Sequence, residues 1–275
     1  MNQQLPYMLS EKELERYKHP IAVPGMGAGL QETLKNARIL VIGAGGLGSP
    51  LIQYLSAAGV GVIGIADYGV ILEEDLHRQP LFNMQDLRKH KAKMAASRLF
   101  SLNPWNKHYP FLLQVRPDNA VQVISGFDLV IDCSQHRATH LVVSDACLLQ
   151  DKPFITGEVH NWVAWWGGFN MLLDNGSRSG SYRCNELQVD EFRNFDAGAM
   201  GATHGATALL MVNEVIKYLA GVPGLAGKMH SFNYLHQQFE KTELALDATG
   251  VAAVKERGLL TADEYGLEVV PDVED

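Results

Sequence analysis

The residues best suited to chemistry lie between positions 43 and 93. Gly43-Ala44-Gly45-Gly46-Leu47-Gly48 has the G-x-G-x-x-G spacing. Glycines there let the backbone turn tightly and bring amide N–H groups against phosphate at the positive end of a helix. Nineteen residues after Gly48 comes Asp67, where a carboxylate can accept hydrogen bonds from ribose hydroxyls. Two cationic stretches follow, Asp75-Leu76-His77-Arg78-Gln79 and Arg88-Lys89-His90-Lys91-Ala92-Lys93. The glycine loop by itself is compatible with NAD, FAD or ATP. Arginine and lysine converging on strand ends would suit a triphosphate, whose extra charge and departing pyrophosphate need neutralising. A basic helix face in solvent is the other reading of the same run.

These residues need a scaffold, and the sequence describes one. Arg38-Ile39-Leu40-Val41-Ile42 is a β-branched run ending in glycines, the pattern of a buried parallel strand. Helical spacing over 49–58 leads to a second such strand, Val60 to Ala66, which Asp67 closes. The alternation continues with a helix over 90–101, a strand near 109–115, a helix over 118–125 and the strand Asp128 to Ile131 ending at Asp132. A helix over 138–150 and a short strand from Pro153 to Thr156 follow. This rhythm predicts an α/β fold with a Rossmann-like doubly wound sheet, largely parallel. From Val159 the pattern Trp162-Val163-Ala164-Trp165-Trp166 reads as antiparallel strands added in the C-terminal half. Two short helices are expected over 10–36 and a longer one over 205–220. Residues 1–245 are read as one nucleotide-binding domain and 246–275 as a C-terminal extension ending in Pro271-Asp272-Val273-Glu274-Asp275.

Composition narrows the class. With 275 residues, 47% hydrophobic and 20% charged, the chain has ordinary globular composition, neither disordered nor fibrous. A net charge of −8 argues against a surface built for nucleic acid. No apolar run approaches the roughly 18 to 20 residues of a membrane span, and the polar, acidic N-terminus resembles neither a signal nor a transit peptide. Cys133, Cys147 and Cys184 are too widely spaced for a disulfide scaffold or a C-x-x-C pair. A cytoplasmic protein is the expectation. Cys133 reads as a buried small side chain; His77 and His90, which flank Arg78 and Lys91, read as surface residues, with contact to a phosphate as the alternative.

Taken together, the sequence resembles the ThiF/MoeB/HesA adenylyltransferases related to ubiquitin-activating enzymes, over about residues 11 to 243. The resemblance rests on Arg16-Tyr17, the run from Arg38 to Gly48, Ala57 to Gly61, Asp67, Leu76 with Arg78-Gln79, and Lys91. It continues through Asp128 to Cys133, Gly157, Tyr182-Arg183-Cys184, Gly198, Gly205 and Glu214 to Lys217. It implies that ATP, with Mg2+, activates the C-terminal carboxylate of a ubiquitin-like carrier protein or a peptide as an acyl-adenylate, within a homodimer. Gly43, Gly45, Gly46, Gly48, Asp67, Gln79 and Asp132 would then bind the nucleotide. Arg78 and Lys91 would act on the phosphates. Trp162, Trp165 and Trp166 are expected in the core or at the dimer interface.

The sequence also departs from that family. His19 stands where an arginine would be supplied across the dimer, Asp75 replaces an asparagine, and Gln135 replaces a carboxylate that helps bind magnesium. Of the zinc-binding cysteine pairs only Cys184 remains, with Ser181 at its partner position, so no zinc is expected. The loop over 185–200 has no cysteine, and Asn194 is near the position where some members carry one. A catalytically degenerate member that binds a nucleotide or a partner is therefore the second reading. An NAD-dependent oxidoreductase, which leaves Arg78, Gln79 and Lys91 without a task, is the third.

Overall fold

The computed structural model describes residues 8–186, 198, 200–222 and 224–271. Eight strands form one sheet: Arg38–Ile42 (β1), Val62–Ala66 (β2), Lys107–Phe111 (β3), Leu129–Asp132 (β4), Phe154–His160 (β5), Val163–Phe169 (β6), Lys228–Asn233 (β7) and Gln238–Glu243 (β8). Their order is β3-β2-β1-β4-β5-β6-β7-β8. Every pair from β3 to β5 is parallel, and every pair from β5 to β8 is antiparallel. The expected architecture is present, with β5 longer than expected. The β7–β8 hairpin had no counterpart in the sequence reading.

Both faces of the parallel half are covered at its centre, which is why β1, β2 and β4 are almost wholly apolar, whereas the edge strand β3 is largely exposed. Alternate side chains of β1 enter opposite cores. Ile39 and Val41 join one with Leu51, Leu55, Leu99 and Met211, while Leu40 and Ile42 join the other with Ile124, Leu141 and Val142. The first core is closed by helices Gly27–Asn36 (α3), Gly48–Ala58 (α4), Lys91–Leu102 (α5) and Gly201–Leu219 (α8). The second lies under Ala120–Ser125 (α6) and Arg137–Leu149 (α7).

At the N-terminus, the structure has Glu11–Arg16 (α1) and Lys18–Ile21 (α2) ahead of α3, three helices in place of the two expected. They are tied down by the Arg-Tyr pair. The Arg16 guanidinium donates to the Leu102 carbonyl, and buried Tyr17 accepts a 2.7 Å hydrogen bond from Asn103 Nδ2.

Trp165 and Trp166 cannot serve an interface. Both are fully buried, because β6 is an interior strand and its consecutive side chains fill the two cores in turn. Of these three tryptophans Trp162, at the β5–β6 turn, is the exposed one. Residues 187–197, which include Asn194, lie outside the described residues, as do 1–7, 199, 223 and 272–275.

The C-terminal extension contains Ala248–Arg257 (α9) and Ala262–Tyr265 (α10). Buried Asp145 of α7 collects it. Its carboxylate accepts from Arg183 on one side, and from Arg257 Nη2 (3.1 Å) and Tyr265 Oη (2.8 Å) of the extension on the other.

A second buried polar network links β4, α7 and β5. His140 Nδ1 is 2.7 Å from Asp132 Oδ2 and its Nε2 is 2.9 Å from Glu158 Oε1. Burial opposes charge on this ring, but the two flanking carboxylates prevail and push its pKa up to about 9. A histidine pKa raised by folding stabilises fully below the unfolded value of 6.5, and that stability is lost as pH climbs towards 9. The melting temperature should therefore fall between pH 6.5 and 9. His140→Gln should melt lower at pH 6.5 and show a flatter profile.

Candidate functional site

The C-terminal ends of β2, β1 and β4 open into a cavity of about 420 Å3. Here the sheet changes direction of winding: the chain leaves β1 for α4 on one face and β4 for α7 on the other. Such a switch point leaves a crevice between adjacent loops.

The glycine loop forms one wall, and its glycines have different tasks. Gly43 has φ +87°, and a Cβ there would lie 3.0 Å from the Cys133 carbonyl carbon. A Cβ on Gly48 would come within 1.8 Å of the Gly43 carbonyl oxygen, so this residue closes the turn and does not line the cavity. At Gly46 the added carbon would meet the buried ring of His204 at 2.7 Å. Gly45 alone faces open space, the nearest atom being Gln79 Nε2 at 3.9 Å. Gly43, Gly45 and Gly46 line the cavity.

Asp67 closes β2 and holds this loop. Its Oδ2 accepts from the Ala44 N–H and its Oδ1 from the Gly69 N–H, both at 2.7 Å. Burial raises its carboxyl pKa despite these two donors and the charge of Lys91. Each oxygen retains a lone pair, which a hydroxyl could satisfy.

The cations are gathered by a residue that the sequence marks as a departure. Asp75 is buried, with Oδ1 2.9 Å from Arg78 Nη2 and Oδ2 2.9 Å from Lys91 Nζ. All three line the cavity. The basic run is thus not a solvated face at Lys91, whose side chain is largely buried. Next to them stands Gln79, almost fully buried. Among the described residues, neither its Oε1 nor the Oγ of Ser134 has a hydrogen-bond partner. Both residues line the cavity, and buried polar atoms left this way mark a place where a ligand completes the bonding.

Asp132 does not reach the cavity. It is fully buried, accepting from the Ser134 N–H at 2.8 Å and facing His140, so it supports the floor from below. Gln135 does line the cavity. Its backbone is left-handed, with φ +57°, and its Oε1 accepts from the Val159 N–H at 3.1 Å. Cys133 is buried, and burial pushes its thiol far from ionisation. His77 is exposed, with Nε2 3.0 Å from Arg78 Nη1. Ser181 Oγ lies 3.0 Å from Cys184 Sγ, so the remnant of the zinc pair is close in space, but one partner is a hydroxyl.

Sequence reasoning missed the far wall. It consists of Leu113, Gln114 and Val115 after β3, His136 and Thr139 at the start of α7, and Glu268 and Val270 of the C-terminal segment. None has a motif or a telling spacing; long-range packing alone brings them here.

Similarity to known proteins agrees with this geometry. The chain is 32% identical over 237 residues to the sulfur carrier protein adenylyltransferase of Thermus thermophilus, covering 84% of this chain and 88% of that one. It is 31% identical to the probable adenylyltransferase/sulfurtransferase MoeZ of Mycobacterium tuberculosis, over 87% of this chain but only 62% of the longer MoeZ. The fold is that of Escherichia coli MccB, solved with MccA-N7isoASN, with a TM-score of 0.73 at 19% identity over 88% of this chain and 74% of MccB. The sequence profile described as the ThiF family matches residues 17–252, and the chain belongs to that family.

Proposed function

We propose that the protein is an ATP-dependent adenylyltransferase that activates the C-terminal carboxylate of a small ubiquitin-like carrier protein, or of a peptide, as an acyl-adenylate. One observation carries this reading. The loop glycines, the Arg78–Asp75–Lys91 cluster and the unpartnered Gln79 and Ser134 atoms all line the same cavity. A dinucleotide whose pyrophosphate is served by the helix end leaves that cationic cluster without a task. The relatives' names, an adenylyltransferase for a sulfur carrier protein among them, support the same reaction.

In this reading ATP enters as its magnesium complex. Asp67 is engaged by two loop amides and Asp75 by two cations, and among the described residues no three His, Cys, Asp or Glu side chains gather into a metal site. The phosphate oxygens bring the ion with them. Asp67 receives the ribose, and Gly45 and Gly46 let the triphosphate approach the loop. The substrate carboxylate oxygen attacks the α-phosphorus, the bond to the bridging oxygen breaks, and pyrophosphate leaves carrying that electron pair. Arg78 and Lys91 stabilise the charge that grows on the departing phosphates. A homodimer and a cytoplasmic setting belong to the same proposal. Among the described residues no helix is long and apolar enough to cross a membrane.

Asp75 tempers the site. Asp75→Asn would leave the two cations unopposed, and ATP affinity by calorimetry should rise about fivefold, the effect of one nearby charge in a partly solvated site. A fall would show that the carboxylate is needed to aim its partners.

The test of the function is label transfer. Incubation with a carrier protein ending in Gly-Gly should attach label from α-labelled but not from γ-labelled ATP. Tight ATP binding with no transfer to any carrier or peptide would favour the degenerate reading. The occupied Asp75 and Gln135 side chains are the features in its support.

A further inference from the structure

The cavity has two ends. Arg78, Gln79 and Lys91 mark the phosphate end, and Asp67 the ribose. The end lined by Leu113, Gln114 and Val115, beyond β3, carries no cation among the residues lining it, and Glu268 and Val270 also line the cavity. These two belong to the segment after α10. They are held there by a paired set of bonds: Gln114 Nε2 donates to the Glu268 carbonyl and the Val270 N–H donates to Gln114 Oε1, each at 2.8 Å. The segment is anchored behind by the buried side chains of Tyr265 and Leu267, with Tyr265 Oη on Asp145. One primary amide thus clamps to the wall of the cavity a stretch of backbone 154 to 156 residues away in sequence.

We propose that residues 266–271 form the outer wall of the nucleotide-base subsite, with Gln114 as the positioning residue and Val270 as the apolar contact for the base, opposite Leu113 and Val115. This rests on the nucleotide reading above. It gives the C-terminal segment a binding role in place of a purely structural one. A planar base has little to hydrogen-bond with a cationic cluster and much apolar face to bury. An apolar cleft with a few fixed backbone groups suits it, while the charged end suits the phosphates.

The experiment compares ATP with inorganic tripolyphosphate, which has the phosphates and no base. Both are titrated by calorimetry into the full chain and into two variants. One is the double substitution Glu268→Gly with Val270→Gly, which keeps the anchors Tyr265 and Leu267. The other is Gln114→Leu, which releases the clamp at similar volume. Each variant should lose about tenfold in ATP affinity and retain its tripolyphosphate affinity. Unchanged ATP affinity in the double variant would overturn the proposal, as would an equal loss for both ligands, which would indicate a general distortion of the cavity. A gain in ATP affinity would also overturn it, since the segment would then be a cover that competes with the base. Wild-type protein that binds tripolyphosphate but not ATP would overturn it too. Binding of neither ligand by the wild type would instead defeat the nucleotide reading on which the proposal stands.

Discussion

Arg78→Ala and Lys91→Ala are each expected to lower the rate of adenylate formation by about a hundredfold or more while weakening ATP binding far less. Removing one preorganised donor from a developing charge typically costs about 3 to 4 kcal/mol of transition-state stabilisation. The ground-state triphosphate is already neutralised in part by its magnesium ion, so the loss falls mainly on turnover. The structure explains why the fold should survive. Asp75 contacts both cations at 2.9 Å, so either variant leaves this buried carboxylate with one partner and avoids the larger penalty of an unpaired charge. Single-turnover kinetics at saturating ATP would separate the two effects. A rise in the ATP dissociation constant large enough to account for the whole loss would assign these residues to binding alone.

Gly45→Val should abolish ATP binding without unfolding the protein. The position has ordinary backbone geometry, and its missing side chain points at open cavity, with no atom nearer than 3.9 Å. Valine would fill the space through which phosphate must approach the loop amides. Calorimetry should show ATP affinity reduced by at least about a hundredfold, and thermal melting should be little changed, as for a substitution that displaces no packed atom. The same exchange at Gly43 or Gly48 would collide with backbone and lower the melting temperature instead. Retained ATP affinity in a folded Gly45→Val protein would place the phosphates elsewhere.

Much of this site was legible from residue types because its chemistry is local. The loop from Gly43 to Gly48 follows β1 and opens α4, as the spacing requires, and Asp67 ends β2 against it. Parallel strands buried on both faces are apolar throughout, so β1 and β4 stand out in the sequence. Strand β8 does not. It is an edge strand whose residues, Gln238 to Glu243, are almost all exposed, so no burial pattern was imposed on them. For the tryptophans the sequence left core and interface both open, since large apolar residues suit either, and the position of β6 inside the sheet places Trp165 and Trp166 in the core.

In the sequence Asp75 stands out only as a replacement for the family's asparagine, because sequence shows its charge but not its contacts. Its place between Arg78 and Lys91 makes it the residue that holds them. Asp132 and Gly48 carried the right motif but act beneath the cavity. The wall of Leu113 to Val115 with Glu268 and Val270 depends on a clamp between segments distant in the chain, and nothing in either segment's sequence encodes it.

A cavity that joins AMP to a carboxylate must also run that step in reverse, and exchange of labelled pyrophosphate into ATP reads it. The wild-type protein should catalyse exchange only when a carrier protein or peptide with a free C-terminus is present, and Arg78→Ala should reduce the rate by about a hundredfold. Absence of exchange with every carrier and peptide tried, from protein that binds ATP and is otherwise intact, would contradict adenylation at this cavity. It would leave a nucleotide-binding member of the family that no longer adenylates.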